Sequence, residues 1–360
     1  MEVGVSFKCT AYSVTIHKAI FIVFILITFL TSQALADCES ESTNSCNNKE
    51  KAQPLKLIAI FSILATSVIG VCLPLATRSI PALSPEGDLF IIVKCFAAGI
   101  ILGTGFMHVL PDSYEMLWSD CLDEKPWHEF PFSGLVAMFS AVVTMMVDSI
   151  ATSYYSKKGK SGVVIPESHG GDDQEIGHSH GGHHHIHNGF KTEESDEPQL
   201  LRYRVVVMVL ELGIVVHSVV IGLGMGASNN TCSIKGILSA ALCFHQMFEG
   251  MGLGGCILQA KYKFLKNAML VFFFSITTPL GIAIGLAMST SYKENSPVAL
   301  ITVGLLNASS AGLLIYMALV DLLAADFMSK RMQSSIKLQL KSYVAVFLGA
   351  GGMSLMAKWA

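Results

Sequence analysis

The 360-residue chain is 52% hydrophobic and only 14% charged, where an ordinary soluble domain carries about 25% charged residues. Its formal net charge of −3 argues against a nucleic-acid partner. The apolar residues fall into runs of about 20, long enough to cross roughly 30 Å of hydrocarbon as helices, so the expected class is an all-α, polytopic membrane protein.

The first apolar run, "AIFIVFILITFL" (Ala19 to Leu30), is too short for that role. Lys8, His17 and Lys18 precede it and the small residues Ala34 to Ala36 follow it. This is the pattern of a secretory signal. Residues 1–36 are therefore expected to be removed after Ala36, a retained signal-anchor being the alternative. From Asp37 onward the chain reads as an extracellular segment and three spans, near 55–77, 89–110 and 132–155, which together make up residues 37–155.

At the outer end of the second span, "GFMHVLPDSYE" places His108 and Asp112 at i, i+4, with Glu115 one heptad from His108. These three predict an acidic vestibule that concentrates cations at the outer mouth. A surface His–Asp pair without a role is the plain alternative.

Residues 156–204 break the pattern. The stretch is polar, acidic and histidine-rich, and its composition predicts a disordered cytosolic loop. Its histidines, His178, His180, His183, His184, His185 and His187, suit loose zinc binding in several arrangements, for buffering or sensing, rather than one rigid site.

Residues 205–360 add five spans, near 205–227, 234–258, 267–290, 297–322 and 341–360, for eight in all. With the mature N-terminus outside, the clusters Lys157, Lys158, Lys160; Lys261, Lys263, Lys266; and Lys330, Arg331 all fall inside. That satisfies the positive-inside rule and puts both termini outside. Cys38, Cys46, Cys121 and Cys232 then face the oxidising side, with three pairings open, as does the sequon Asn229-Asn230-Thr231. Paired glycines four apart, such as Gly222/Gly226 and Gly250/Gly254, read as close helix packing in lipid. Pro279 predicts a bend in the sixth span.

Ionisable groups at mid-membrane depth are the sharpest signal, because each costs about 2.5–3.5 kcal/mol at a helix centre. His217 lies near the middle of the fourth span, and "FHQMFEG" places His245 and Glu249 on one face of the fifth. These spans are joined by only a few residues, so their midpoints share a depth and the three side chains can meet. Two imidazoles and a carboxylate suit Zn²⁺ or another divalent first-row ion. The open fourth position suits a site that must release its ion. Asp148, Glu211, Asp321 and Asp326 lie toward the inner ends of their spans, either as an exit path or beside interfacial water. "HQMFE" is not the "HExxH" of zinc proteases, and nothing else supplies a nucleophile or base, so no enzymatic activity is expected.

At these residues the chain resembles the ZIP (Zrt/Irt-like protein) family of metal transporters, in its plant-type branch. The resemblance rests on the histidine-rich loop after the third span, "HSVVIG" in the fourth, "HQMFEG" in the fifth and the terminal "AKWA". It implies a 3+2+3 bundle, in which spans one to three and six to eight are inverted repeats around the fourth and fifth, and an elevator-like movement. It also implies metal ligation by His217, His245 and Glu249. Where some relatives build a second metal site, this chain has Ser218, Gln246 and Thr278, which favours a single ion with Ser218 and Gln246 as weak oxygen donors. The reading that results is a passive or secondary importer of divalent cations in the plasma membrane. Zn²⁺ is its chief substrate, Fe²⁺, Mn²⁺ and Cd²⁺ are the competing ions, and no resident cofactor is needed. The lipid bilayer is the other expected partner, and a homodimer is the candidate assembly. An Fe²⁺ or Mn²⁺ importer is the alternative within transport; a membrane metal sensor is the alternative from another class.

Overall fold

The computed structural model describes residues 48–77, 87–160, 196–229, 231–236, 242–289 and 296–357. The signal segment, Cys38, Cys46, the histidine tract and residues 358–360 lie outside the described residues. All regular structure among the described residues is helical. The long helices are α1 (Lys49–Thr77), α2 (Asp88–Leu117), α3 (Phe132–Lys160), α4 (Asp196–Ala227), α5 (Leu242–Gln259), α6 (Phe264–Met288), α7 (Pro297–Phe327) and α8 (Ile336–Met356).

Six of these, α1 to α4, α6 and α7, are long and apolar enough to cross a membrane. In α5 the apolar run is interrupted by His245, Gln246 and Glu249, and in α8 by Lys337, Gln339 and Lys341. Helix starts follow local chemistry. The Ser296 side chain accepts from the Ala299 N–H with Pro297 in the first turn of α7, and Ser335 accepts from the Leu338 N–H at the start of α8. Both are ordinary N-caps.

The helices sort into two groups by packing. In one, α4 lies against α6, α5 against α1, and α1 against α6; in the other, α2 lies against α8 and α3 against α7. The groups meet mainly where α4 faces α7 and α5 faces α2. Glycine makes the closest of these approaches possible. A Cβ at Gly222 would sit 2.6 Å from the Thr278 carbonyl oxygen, and one at Gly226 would collide with the Ile282 carbonyl. Helix backbones in lipid gain van der Waals contact this way, since lipid itself offers no hydrophobic drive for association.

Both α2 and α7 contain a π-helical stretch, Gly105–Val109 and Met317–Ala324. In α2 the Leu110 N–H bonds back to the Gly105 carbonyl, so the extra residue is absorbed just ahead of Pro111, which has no N–H to give. The helix therefore continues past the proline to Leu117 rather than ending near 110. The outer surfaces are apolar: Phe139 is 66% exposed and Phe347 73%, as expected of side chains that face lipid tails.

Candidate metal centre

The fourth and fifth helices carry the site. α5 contains Gly250, Gly252, Gly254 and Gly255, each costing about 1 kcal/mol of intrinsic helix stability relative to alanine. Packing compensates: Gly254 lies directly on the Val71 carbonyl of α1, and Gly252 faces Ile101 and Ala97 of α2. α4 is held equally closely to α6 through Gly222 and Gly226. The two helices that must face each other at fixed depth are thus each fastened to a neighbour on the opposite side.

Between them, His217, His245 and Glu249 each offer one donor atom, and these atoms all lie within 4.8 Å of one another. The side chains are buried, at 1%, 2% and 0% exposure. The His245 Nε2 is 3.2 Å from Glu249 Oε2, yet among the described residues neither carboxylate oxygen has a hydrogen-bond partner, nor does either ring nitrogen of His217. A buried acid and imidazole normally find donors and acceptors. Here their free atoms face a common point instead, as ligands of one cation would.

The tautomer of His245 follows from its neighbours. The Thr104 hydroxyl donates to the Ile100 carbonyl at 3.0 Å, so its one proton is used. Its oxygen, 3.0 Å from His245 Nδ1, therefore accepts the Nδ1–H. That leaves the Nε2 lone pair turned toward Glu249, where a metal needs it. Thr104 was not singled out from the sequence; a threonine in an apolar run can bond its own helix and gives no signal.

A scan against family models matches residues 53–357 to the ZIP zinc transporter family. The chain is 64% identical to "Probable zinc transporter 10" of Arabidopsis thaliana, over 91% of this chain and 93% of that protein. It is 59% identical to "Fe(2+) transport protein 1" of the same plant, over 97% and 99%. To the rice protein "Fe(2+) transport protein 1" it is 57% identical, over 89% and 88%. The chain belongs to the ZIP zinc transporter family. It is a multi-pass membrane protein of a transporter family, and the convergence of its two histidines and glutamate is the feature a cation carrier requires.

The remaining residues singled out in this ZIP chain are distributed unevenly. Ser218 and Gln246 are buried beside the cluster; the Ser218 hydroxyl has no partner, while Gln246 Oε1 accepts a long bond of 3.5 Å from Thr278. His108 comes much closer to the centre than its place near a span end suggests. Its ring centroid lies 6.2 Å from that of His217 and 6.3 Å from that of His245. Asp112 stands one turn further out, its carboxylate 3.7 Å from His108 Nδ1, with Glu115 beyond it on the same helix.

Toward the end of the bundle away from Asp112, Tyr316 donates to Asp148 at 3.4 Å. Both oxygens of Asp321 are buried without a hydrogen-bond partner among the described residues. Glu211 is buried on α4 at 1% exposure, and Asp326 pairs with Lys94 at 3.0 Å. Lys94 too was missed by sequence reasoning, although a lysine inside an apolar span is the same kind of signal that exposed His217. Cys121 and Cys232 are disulfide-bonded, whereas Cys72, Cys95, Cys243 and Cys256, all within helices, are free thiols.

Proposed function

We propose that this chain imports divalent cations, Zn²⁺ before Fe²⁺ or Mn²⁺, into the cytosol through a single site formed by His217, His245 and Glu249. The observation that carries the reading is the set of buried donor atoms without partners, all within 4.8 Å on adjoining helices. Names of relatives support the substrate class, since they include both zinc and Fe²⁺ transport proteins. Imidazole and carboxylate serve both ions. No ATP-binding motif is present in the sequence, so movement is passive or secondary. A dication entering an inside-negative cell gains about 4.6 kcal/mol per 100 mV, twice the single-charge figure.

The architecture we infer is eight spans, with α5 and α8 crossing alongside the six more apolar helices, in a 3+2+3 inverted repeat. Several features support this. Exchanging α1 with α6, α2 with α7, α3 with α8 and α4 with α5 turns the α4–α6 contact into α5–α1. The same exchange turns α2–α8 into α7–α3, and α4–α7 into α5–α2, all of them close packings in the structure. It also matches the π-helical stretch of α2 with that of α7. The two packing groups suit an elevator in which α1, α4, α5 and α6 carry the ion past α2, α3, α7 and α8. We place both mature termini outside and the chain in the plasma membrane, with residues 1–36 removed and the segment between α3 and α4 in the cytosol; that segment is shorter than the expected 156–204, because α3 runs to Lys160 and α4 starts at Asp196. The oxidised state of Cys121 and Cys232 supports that orientation. In this reading His108, Asp112 and Glu115 lead in from outside, Asp148, Glu211, Asp321 and Asp326 lead out to the cytosol, and the histidine tract buffers arriving zinc.

Uptake of labelled zinc by zinc-deficient cells expressing the chain tests the proposal. Saturable uptake is expected, His217→Ala should abolish it, and deletion of 178–187 should not. Competition by iron, manganese and cadmium then ranks the ions. Zinc binding without any uptake would favour a metal sensor instead, and undiminished uptake by His217→Ala would remove the site.

A further inference from the structure

Lys94 has no part in the site described above, yet it is buried at 5% exposure inside a helix that crosses the membrane. Its ammonium is 3.0 Å from Asp326 Oδ1 and 3.0 Å from Gln259 Oε1, and 5.9 Å from the centre of the Tyr203 ring. Asp326 belongs to α7, in the same packing group as Lys94. Gln259 ends α5 and Tyr203 lies on α4, both in the other group. One buried cation therefore ties the two groups together at the inner end of the bundle.

Its place along the helices gives this tie a meaning. On α2, Lys94, Ala97, Ile101 and Thr104 recur at helical spacing and line one face. On α5, His245, Glu249, Gly252, Cys256 and Gln259 do the same. The two faces meet in register: Thr104 touches His245, Ile101 and Ala97 face Gly252, and Lys94 meets Gln259. The seam that begins at the metal cluster thus ends, about 15 Å lower at 1.5 Å per residue, on the Lys94 ammonium. Between them Cys256 is buried, at 1% exposure.

We propose that Asp326 and Gln259 form a second, cytosol-facing cation site that the Lys94 ammonium fills as a tethered stand-in, and that a dication released from His217, His245 and Glu249 takes over these oxygens as Lys94 withdraws. A carboxylate and an amide oxygen, with the Cys256 thiol close above them, are suitable ligands for a departing Zn²⁺ or Fe²⁺. A primary amine on a flexible four-carbon stem can swing toward the cytosol without disturbing the helices. While it stays, it keeps the inner end shut and repels a second cation. The inference rests on the import reading, and it assigns to Lys94 the role of inner gate.

The test uses the purified full chain carrying His217→Ala and lacking 178–187, so that neither the central cluster nor the histidine tract contributes binding. Adding Lys94→Met removes the ammonium and keeps an apolar stem of similar length. Equilibrium dialysis with zinc alone should then find one additional bound ion, at least about tenfold tighter than with Lys94 present, and Asp326→Asn should abolish it. In inside-out vesicles, with Cys72, Cys95 and Cys243 changed to Ala, a membrane-impermeant thiol reagent should label Cys256 at least about tenfold faster once Lys94→Met is present. If Lys94→Met does not fold, Gln259→Leu, which cuts the tie between groups and also removes one proposed ligand, should by itself speed that labelling without adding a bound zinc. No added zinc with Lys94→Met, or no change in Cys256 labelling in whichever variant folds, would overturn the gate, leaving Lys94–Asp326 a structural ion pair. The His217→Ala uptake result judges the import reading separately.

Discussion

Thr104 and His245 belong to different packing groups, and the hydroxyl of the first holds the ring of the second through Nδ1 at 3.0 Å. This contact sets which nitrogen of His245 is free for the ion. It also means that the ligand geometry depends on how the two groups sit against each other. Thr104→Val keeps the shape and removes the acceptor, so the ring loses its orientation and its tautomer preference. The half-saturating zinc concentration should rise about 10- to 100-fold, the usual effect of losing a ligand's hydrogen-bond partner, while Thr104→Ser should stay near wild type. Labelled-zinc uptake over a concentration series checks both, and an unchanged Thr104→Val would remove Thr104 from the site.

Glu249 supplies the only formal negative charge in the cluster of three. Glu249→Gln preserves volume and one oxygen donor but offers the dication no charge. Two neutral imidazoles alone leave the ion's charge uncompensated in a low-dielectric setting. Zinc uptake should fall below detection, and zinc binding to the purified chain should weaken at least about tenfold. Protein abundance at the membrane should hold, because neither Glu249 oxygen satisfies a hydrogen-bonding group in the fold. Retained uptake would show that His217 and His245 suffice.

Much of this was readable in the sequence, for identifiable reasons. Long apolar runs have one stable solution in lipid, and so each expected span overlaps one long helix, with about half of the ends agreeing to within three residues and the starts of α1 and α4 lying six and nine residues earlier than expected. His217, His245 and Glu249 stood out because polar groups at mid-depth are costly. The exceptions have equally physical causes. A π-helical stretch adds one residue to a turn and leaves no compositional trace; hence α2 was read as ending near 110, when it continues to Leu117. His108 was accordingly read at a span end, while the structure sets it about a turn from the cluster. The fifth span was read from 234, whereas α5 starts at Leu242 and the short helix Thr231–Gly236 precedes it. Lys94 gives a weaker signal, because a basic residue near a span end ordinarily snorkels to the headgroups; its acidic partner lies 232 residues away, beyond any local pattern.

Gly226 faces the Ile282 carbonyl of α6 with no room for a side chain. Gly226→Val should therefore push α4 away from α6 near the outer end. Overpacking of this kind costs about 1–3 kcal/mol, and the strain falls on the helix that bears His217. A lower midpoint of thermal unfolding in detergent is expected, together with reduced zinc uptake per folded molecule. Gly224 has open space around its Cβ position, so Gly224→Ala should change neither. An equal loss at both positions would rule out the Ile282 contact as its cause, since alanine has a higher helix propensity than glycine.

In the import reading proposed above, His108 stands between the outer mouth and the centre. Its ring is 6.2 Å and 6.3 Å from the two site histidines, too far to share one tetrahedral ion with both in this geometry but close enough to hand an ion inward. Asp112, a turn further out and 37% exposed at its side chain, is placed to attract the ion before His108 receives it. His108→Ala should accordingly raise the half-saturating zinc concentration about tenfold and leave the maximal uptake rate nearly intact. Asp112→Asn should produce a smaller rise that shrinks as ionic strength increases, because a partly exposed carboxylate acts through a partly screened field. Uptake kinetics at low and high salt separate the two. If His108→Ala instead abolished uptake at every zinc concentration, His108 would have to join the central ligand set, with the bundle closing around the ion to bring its ring in.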